Sequence, residues 1–293
     1  MPSRDELHAR LFLLRAAEPP APAIHQYVAV HGPVDAVARI RHGTAPAAVL
    51  SEITRPEAEI DNDLRALDGG TARLLTPEDD DWPFGRLTSL AASHGVPLAL
   101  WVRGSGSLAE LTTPAVTVTG SRASSAYGNT VAADLGYELA RAGVTVVSGG
   151  GLGVDEEAHR STLAADGRTI VVLANGVDRT HPHQHARLYQ TVIEQGGLLV
   201  SEYPIGTPPA RIRFHARCRL LAALAAATVI VEAGQRSGAL AVARAAGELG
   251  RRVYGVPGSI HSVTSKGVNE LLRTGAATVA SSVEHINYQE GVR

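Results

Sequence analysis

The sequence is poor in the residues that would anchor several functional classes. It has one cysteine, Cys218, in 293 residues. An intramolecular disulfide and a cysteine-rich zinc site are therefore excluded, and a reducing cytoplasm is the expected setting. Aromatic residues make up only 4%, so Ala, Val and Leu must fill the core. No run approaches 18 consecutive apolar residues, so no membrane span is expected. The opening Met1-Pro2-Ser3-Arg4-Asp5 has no apolar stretch behind a basic one, so no secretory leader is expected either. A charge excess is missing as well: 27 Lys and Arg against 29 Asp and Glu leave a net charge of −2. Any site for a polyanion must then be a local patch, not a property of the whole chain.

What is present favours a folded α/β protein. Hydrophobic residues reach 44% and charged residues 19%, enough for a substantial core and too apolar for wholesale disorder. The length suits one large domain plus a small one. Residues 5–68 read as short helices over 6–17, 33–41, 47–52 and 57–67, the first stopped by Glu18-Pro19-Pro20. A small helical domain over 1–68 is expected, and nothing in it carries chemistry. From residue 69 apolar runs alternate with helical stretches. Strands are expected at 115–119, 144–148, 169–174, 198–202, 228–232 and 252–256, with helices near 127–142, 154–166, 184–195, 214–225 and 237–249. Short elements at 72–75 and 97–103 extend the sheet. Short, wholly apolar, β-branched strands joined by helices read as buried parallel strands in βαβ units. The expected fold over 69–293 is a doubly wound, mostly parallel Rossmann-like sheet.

Two strand ends carry Gly/Ser-rich turns. One is Val118-Thr119-Gly120-Ser121-Arg122; the other is Ser148-Gly149-Gly150-Gly151-Leu152-Gly153, followed by a helix from Val154. Ligands of such sheets bind beyond the carboxyl ends of the strands. Glycines there let backbone N–H groups approach an anion at a helix start, and Arg122 adds a charge-assisted phosphate contact. The alternative is a pair of tight turns that bind nothing. Neither turn is a P-loop, and the spacing misses the strict dinucleotide fingerprint. Further on, Arg211, Arg213, Arg217 and Arg219 surround Phe214. Arginines suit a phosphate backbone and an aromatic ring suits base stacking, while a solvated helix face with a buried Phe would look the same. His181, His183 and His185 lack a nearby cysteine or an obvious fourth ligand, so no metal is expected. Asp155 and His159, four apart, share a helix face; without a nucleophile beside them, holding the loop is the expected role.

Taken in order, these residues resemble the DNA-processing protein A (DprA/Smf) family. The resemblance begins at Gly120-Ser121-Arg122 with Tyr127-Gly128. It continues through Ser148-Gly149, Gly153, Asp155 and Ala158-His159, then Leu173, Gly176 and Asp178, then the run from Leu199 to Pro204. Phe214, Arg217 and Arg219 follow, then Glu232-Ala233, Arg236-Ser237-Gly238, and Val256-Pro257-Gly258-Ser259. Residues 115–280 are covered. The resemblance implies an extended Rossmann-like domain that binds single-stranded DNA, dimerises, protects incoming DNA and helps load a RecA-type recombinase, with no catalysis and no cofactor. Carried onto this chain, it assigns DNA or phosphate contact to Gly120, Ser121, Arg122, Ser148, Gly149, Gly150, Gly153, Arg211, Arg213, Phe214, Arg217 and Arg219. Asp155, His159, Glu232 and Ser237 would support the loops.

The chain also departs from the family pattern. Leu152 stands where an Arg is usual, Cys218 where an Asn is usual, and His215 where a Pro is usual. His181-Pro182-His183-Gln184-His185 replaces a tyrosine-proline loop ending in Asn. No C-terminal winged helix is expected. The competing reading is a Rossmann-like nucleotide sensor or a phosphoribohydrolase-like enzyme. The hydrolase signature is absent, but a sensor would need only the two Gly loops.

Overall fold

The computed structural model describes residues 3–92 and 95–289; the outermost residues of the two expected domains, 1–2 and 290–293, lie outside them. In chain order the elements are α1 (Arg4–Ala16), α2 (Pro22–His31), α3 (Pro33–Arg41), α4 (Ala47–Glu52), α5 (Asp61–Asp68), β1 (Arg73–Leu75), α6 (Phe84–Leu87), β2 (Leu100–Arg103), α7 (Leu108–Leu111), β3 (Ala115–Thr119) and α8 (Ala126–Arg141). There follow β4 (Thr145–Gly149), α9 (Val154–Ala164), β5 (Thr169–Val172), α10 (Ala186–Glu194), β6 (Leu198–Ser201), α11 (Arg211–Ala223), β7 (Ala227–Ile230), α12 (Ala239–Glu248), β8 (Arg252–Gly255), α13 (Lys266–Arg273) and β9 (Thr278–Val279). The strands form one mixed, mostly parallel sheet in the order β1-β2-β6-β5-β4-β3-β7-β8-β9. It is the Rossmann-like sheet that the alternation of runs implies.

The chain packs as two compact units. The first comprises Met1–Arg103, Leu173–Arg179 and Val200–Ala216. A cut at residue 68 falls inside it, because the helices are tied to a segment far along the chain. Asp63 of α5 is fully buried. It pairs with Arg15 of α1 and accepts the N–H of Ile205 at 3.2 Å. Helix α1 starts with a capping box, in which the side chains of Ser3 and Glu6 each accept from the other's backbone N–H, and buries Leu11, Leu13 and Leu14. Helix α2 begins with Pro22 at its first turn. There the missing N–H costs nothing, because first-turn N–H groups have no partner within the helix. The proline cluster at 19–22 therefore ends one helix and opens the next, where sequence reading expected only a stop.

The second unit comprises Gly104–Val172, Thr180–Leu199 and Arg217–Arg293. Its strands β5, β4, β3, β7, β8 and β9 pair in parallel. All residues of β3, β4, β5 and β7 are buried, which explains their mostly apolar, β-branched character without a polar face. The two threonines of β3 satisfy their buried hydroxyls: Thr117 donates to the carbonyl of Leu221 at 2.6 Å, and Thr119 to Asp155 at 2.7 Å. Val116, Val118, Leu135, Leu139, Val146 and Val229 form the centre of one core. From β3 the chain winds outward through β4 and β5, then returns to the other side of β3 with β7 and β8. The winding direction therefore reverses between β3 and β7, and the carboxyl ends of these strands are where ligands of such sheets bind.

Candidate functional site

The second unit gathers the expected site around the turn that ends β4. A side chain at Gly149 has no room. A Cβ there would lie 2.6 Å from Arg217 Nη1, 2.8 Å from its Nη2 and 2.6 Å from Asp155 Oδ2. The guanidinium of Arg217 thus lies against the bare backbone of the turn, anchored by a hydrogen bond from Nη1 to the carbonyl of Val172 at 2.8 Å. Arg122 is exposed, and its Cγ lies 3.7 Å from the position of a Cβ on Gly151. Two arginines from different elements therefore flank one glycine turn, one from the loop after β3 and one from α11.

The two Gly loops touch at Gly153. Its φ of +72° suits glycine, and a Cβ would strike the carbonyl oxygens of Ser121 at 2.5 Å and Arg122 at 2.8 Å. The N–H of Val154, the first residue of α9, donates to Ser121 O at 3.2 Å. The first loop is thereby fixed to the start of the helix that follows the second.

Asp155 and His159 bond to this framework and not to each other. Asp155 accepts from Thr119 Oγ1 at 2.7 Å and from the N–H of Gly151 at 3.2 Å. His159 is fully buried. Its Nε2 lies 2.9 Å from the carbonyl of Gly149 and its Nδ1 lies 2.7 Å from Thr169 Oγ1. A carbonyl can only accept, so Nε2 carries the proton; Thr169, the neighbour of Nδ1, spends its one hydroxyl proton on the carbonyl of Val146 at 2.6 Å. Burial pushes the imidazole down to about 4, which keeps it neutral at physiological pH. Both side chains hold the turn in shape.

Other candidates face inward. Ser148 is buried and donates its hydroxyl to Val118 O at 2.5 Å. Its neighbour Gly150 is held by a residue that sequence reasoning missed: Tyr189 of α10, whose hydroxyl reaches His181 O at 2.8 Å and Gly150 O at 3.3 Å. Burial raises that phenol above its ordinary range. No local motif marks Tyr189; it is one apolar-looking position on a helix. His181 is lowered, first by burial and then by Arg122, His183 and His185, so positive groups crowd this side of the turn. His185 is buried and lies 3.1 Å from Glu156. Burial alone would raise the Glu156 carboxyl, but the hydrogen bond from Arg160 and the approach of His185 outweigh it and hold the group below its usual range. Among the described residues no group of His, Cys, Asp and Glu is arranged to hold a metal ion.

The basic helix α11 splits into different roles. Arg211 is exposed and Phe214 half-buried. Arg213, in the first unit, holds Glu18 through two contacts of 2.6 and 3.0 Å and donates to Pro208 O at 2.5 Å. Arg219 is only 4% exposed. Cys218 is buried, and burial raises its thiol. Of the four arginines, Arg217 alone is placed against the glycine turn.

On the other side of β3, Gly120 abuts the backbone of Glu232. The Glu232 side chain is buried and accepts from Ser125 N at 2.8 Å, Ser125 Oγ at 2.7 Å and Thr264 Oγ1 at 2.9 Å. Ser125 also caps α8 by accepting from the N–H of Gly128 at 3.1 Å. Ser237 Oγ accepts from the N–H of Ala239 at the start of α12.

Residues 73–290 match the family model of DNA recombination-mediator protein A. The chain belongs to this family. It is 43% identical over 290 residues to a putative DNA processing protein DprA of Mycobacterium tuberculosis, covering 94% of this chain and 73% of that one. It is 36% identical over 270 residues to protein Smf of Escherichia coli, covering 92% and 71%. The structure of DNA processing protein A from Streptococcus pneumoniae superposes with a TM-score of 0.77 at 26% identity, covering 99% of this chain and all of that one. DNA processing protein A from Helicobacter pylori, studied for its single-stranded DNA binding mode, gives a TM-score of 0.63 at 28% identity over 73% of this chain and 92% of that one. Among the described residues, no helix is long and apolar enough to cross a membrane.

Proposed function

We propose that this chain binds single-stranded DNA through its phosphates, performs no chemistry of its own, and serves in the cytoplasm as a recombination mediator. The observation that carries this is the convergence of Arg122 and Arg217 on the glycine turn at Gly149–Gly151. Two arginine side chains flanking one glycine turn fit successive phosphates. The family membership and the Helicobacter pylori relative's single-stranded DNA binding support the same reading. Gly120, Ser121, Gly150 and Gly153 shape the loops around those arginines; Arg211 and Phe214 of the first unit are further candidate contacts. Asp155 and His159, already bonded to loop atoms, act as braces rather than as an acid–base pair. A second copy of the chain and a RecA-type recombinase, which accepts the protected strand, are the partners that the family resemblance implies.

The test is fluorescence anisotropy with a labelled thymidine oligomer at two salt concentrations, with duplex and mononucleotide competitors. Each phosphate neutralised on a single strand should contribute about 0.7 to the salt slope. Arg122→Ala should weaken binding about five- to tenfold and lower that slope by about 0.7. An unchanged affinity and slope would refute the site. Full competition by a mononucleotide would instead favour a nucleotide sensor.

A further inference from the structure

A pocket lies at the carboxyl ends of β3, β7 and β8, where the winding of the sheet reverses. It measures about 600 Å³ and is lined by Tyr127, Glu232, Gly258, Ser259, Ser262 and Ser265, among others. None of its lining residues is cationic, so it is unsuited to a phosphate. It is also built rather than incidental. The Tyr127 hydroxyl donates to Pro257 O at 2.9 Å. Asn269 clamps the next residue, accepting from Gly258 N at 3.3 Å and donating to Gly258 O at 3.0 Å. A Cβ on Gly258 would collide with Ser265 Oγ at 2.2 Å, so glycine is needed for this close approach.

Two polar groups in the pocket have unused capacity. Ser265 is 3% exposed, and among the described residues its Oγ has no hydrogen-bond partner. That hydroxyl lies at the pocket wall, where it can bond a ligand. Glu232 accepts three hydrogen bonds, one at Oε2 and two at Oε1. A carboxylate offers about four acceptor sites, which leaves room for one more donor at Oε2. The ring of Tyr127 is 49% exposed and held in place by its hydroxyl. The pocket thus combines a fixed aromatic surface, a carboxylate with one acceptor site open and a partnerless hydroxyl.

The geometry points to a pocket for one unpaired nucleobase bearing an exocyclic amine, with cytosine favoured over thymine. The base stacks on Tyr127, its amine donates to Glu232 Oε2, and Ser265 Oγ bonds a second atom of its edge. Carboxylates accept from cytosine N4, whereas thymine presents O4 at that position and would set an acceptor against an acceptor. This rests on the reading of the chain as a single-strand binder, and it adds a base preference at one position to contacts otherwise made to the backbone.

The test uses the full chain, labelled with nitrogen-15, and two probes without phosphate, 2′-deoxycytidine and thymidine. Deoxycytidine should shift the amides of Gly258 and of residues 262–265, with affinity at least about fivefold above thymidine. Ser265→Ala and Tyr127→Ala should each weaken deoxycytidine by about fivefold or more. Oligomers of deoxycytidine should then bind more tightly than those of thymidine, and Ser265→Ala should remove that difference while leaving the thymidine oligomer unchanged. Equal response to both nucleosides, or a deoxycytidine response that survives both substitutions, would overturn the pocket even if oligomers still bind. Failure of every oligomer alongside a specific deoxycytidine response would overturn the strand reading and support the pocket as a nucleoside site.

Discussion

Acid should weaken this protein through one buried imidazole. His159 holds the carbonyl of Gly149 and sets its Nδ1 2.7 Å from Thr169 Oγ1, and burial lowers it from the ordinary 6.5 to about 4. In the unfolded chain the same group takes up a proton near 6.5. Between these two values the unfolded state binds more protons than the folded state, so stability rises with pH across that window. The contribution is complete above about pH 6.5 and is lost progressively as pH falls toward 4. The full difference is about 3 kcal/mol, and at pH 5 about 2 kcal/mol is already gone. Eleven other histidines titrate too, so the assay must isolate this one. Urea unfolding of the native protein and of His159→Gln, at several pH values from 7.5 to 4.5, does so, because Gln keeps a donor for Gly149 and cannot titrate. The stability advantage of the native protein over the variant should shrink by about 2 kcal/mol between pH 7 and pH 5. A parallel NMR titration of the imidazole should find no midpoint above about pH 5. A difference that stays constant with pH, or a midpoint near 6.5, would refute the argument and the neutral tautomer with it.

Two further outcomes concern the arginines and their neighbours. Arg213→Ala should lower stability by about 1–2 kcal/mol, since half-buried Glu18 loses its bidentate partner and keeps only Arg55 at 3.2 Å. It should leave the salt slope of oligomer binding unchanged; a slope lowered by about 0.7 would return Arg213 to the DNA contact. Leu152 is 38% exposed in the glycine turn, so Leu152→Arg should fit without repacking and raise both oligomer affinity and the salt slope, the slope by about 0.7, in the same anisotropy assay. No gain would mean that the strand does not pass over this part of the turn.

The sheet was legible because its strands advertise themselves. The sequence-expected strand at 115–119 coincides with β3 and the helix at 33–41 with α3, and the others lie within a few residues of expectation. Short β-branched runs between amphipathic stretches leave little alternative to a parallel sheet. The glycine turns were legible for a related reason: consecutive glycines at a strand end mark a backbone that must come close to something. What the local pattern does not encode is what comes close. Gly149 faces Arg217 and Asp155, which lie 68 and 6 residues away along the chain; only the second proximity follows from helix geometry. The α2 helix and the amphipathic α13 went unread, the first because prolines precede it and the second because it follows a Ser- and Gly-rich loop that looks structureless.

Charge is where sequence and structure part most clearly. Along α11 four arginines look equivalent, since composition records a side chain's charge and not its company. In the folded chain Arg213 is taken by Glu18, a residue 195 positions away, Arg219 is buried, and Arg217 lies against the bare turn. A net charge of −2 is therefore compatible with a phosphate site, because what a strand would meet is not the sum of charges but the particular arginines placed beside the turn. The same reasoning separates the two crevices at the strand ends. Beside β4, Arg122 and Arg217 flank the glycine turn, which suits phosphates; around β7 and β8 the lining is hydroxylic, aromatic and carries one carboxylate, which suits a base. A single strand has both a phosphate edge and a base edge, and β3, which lies between the two crevices, sends Arg122 to one and Tyr127 to the other.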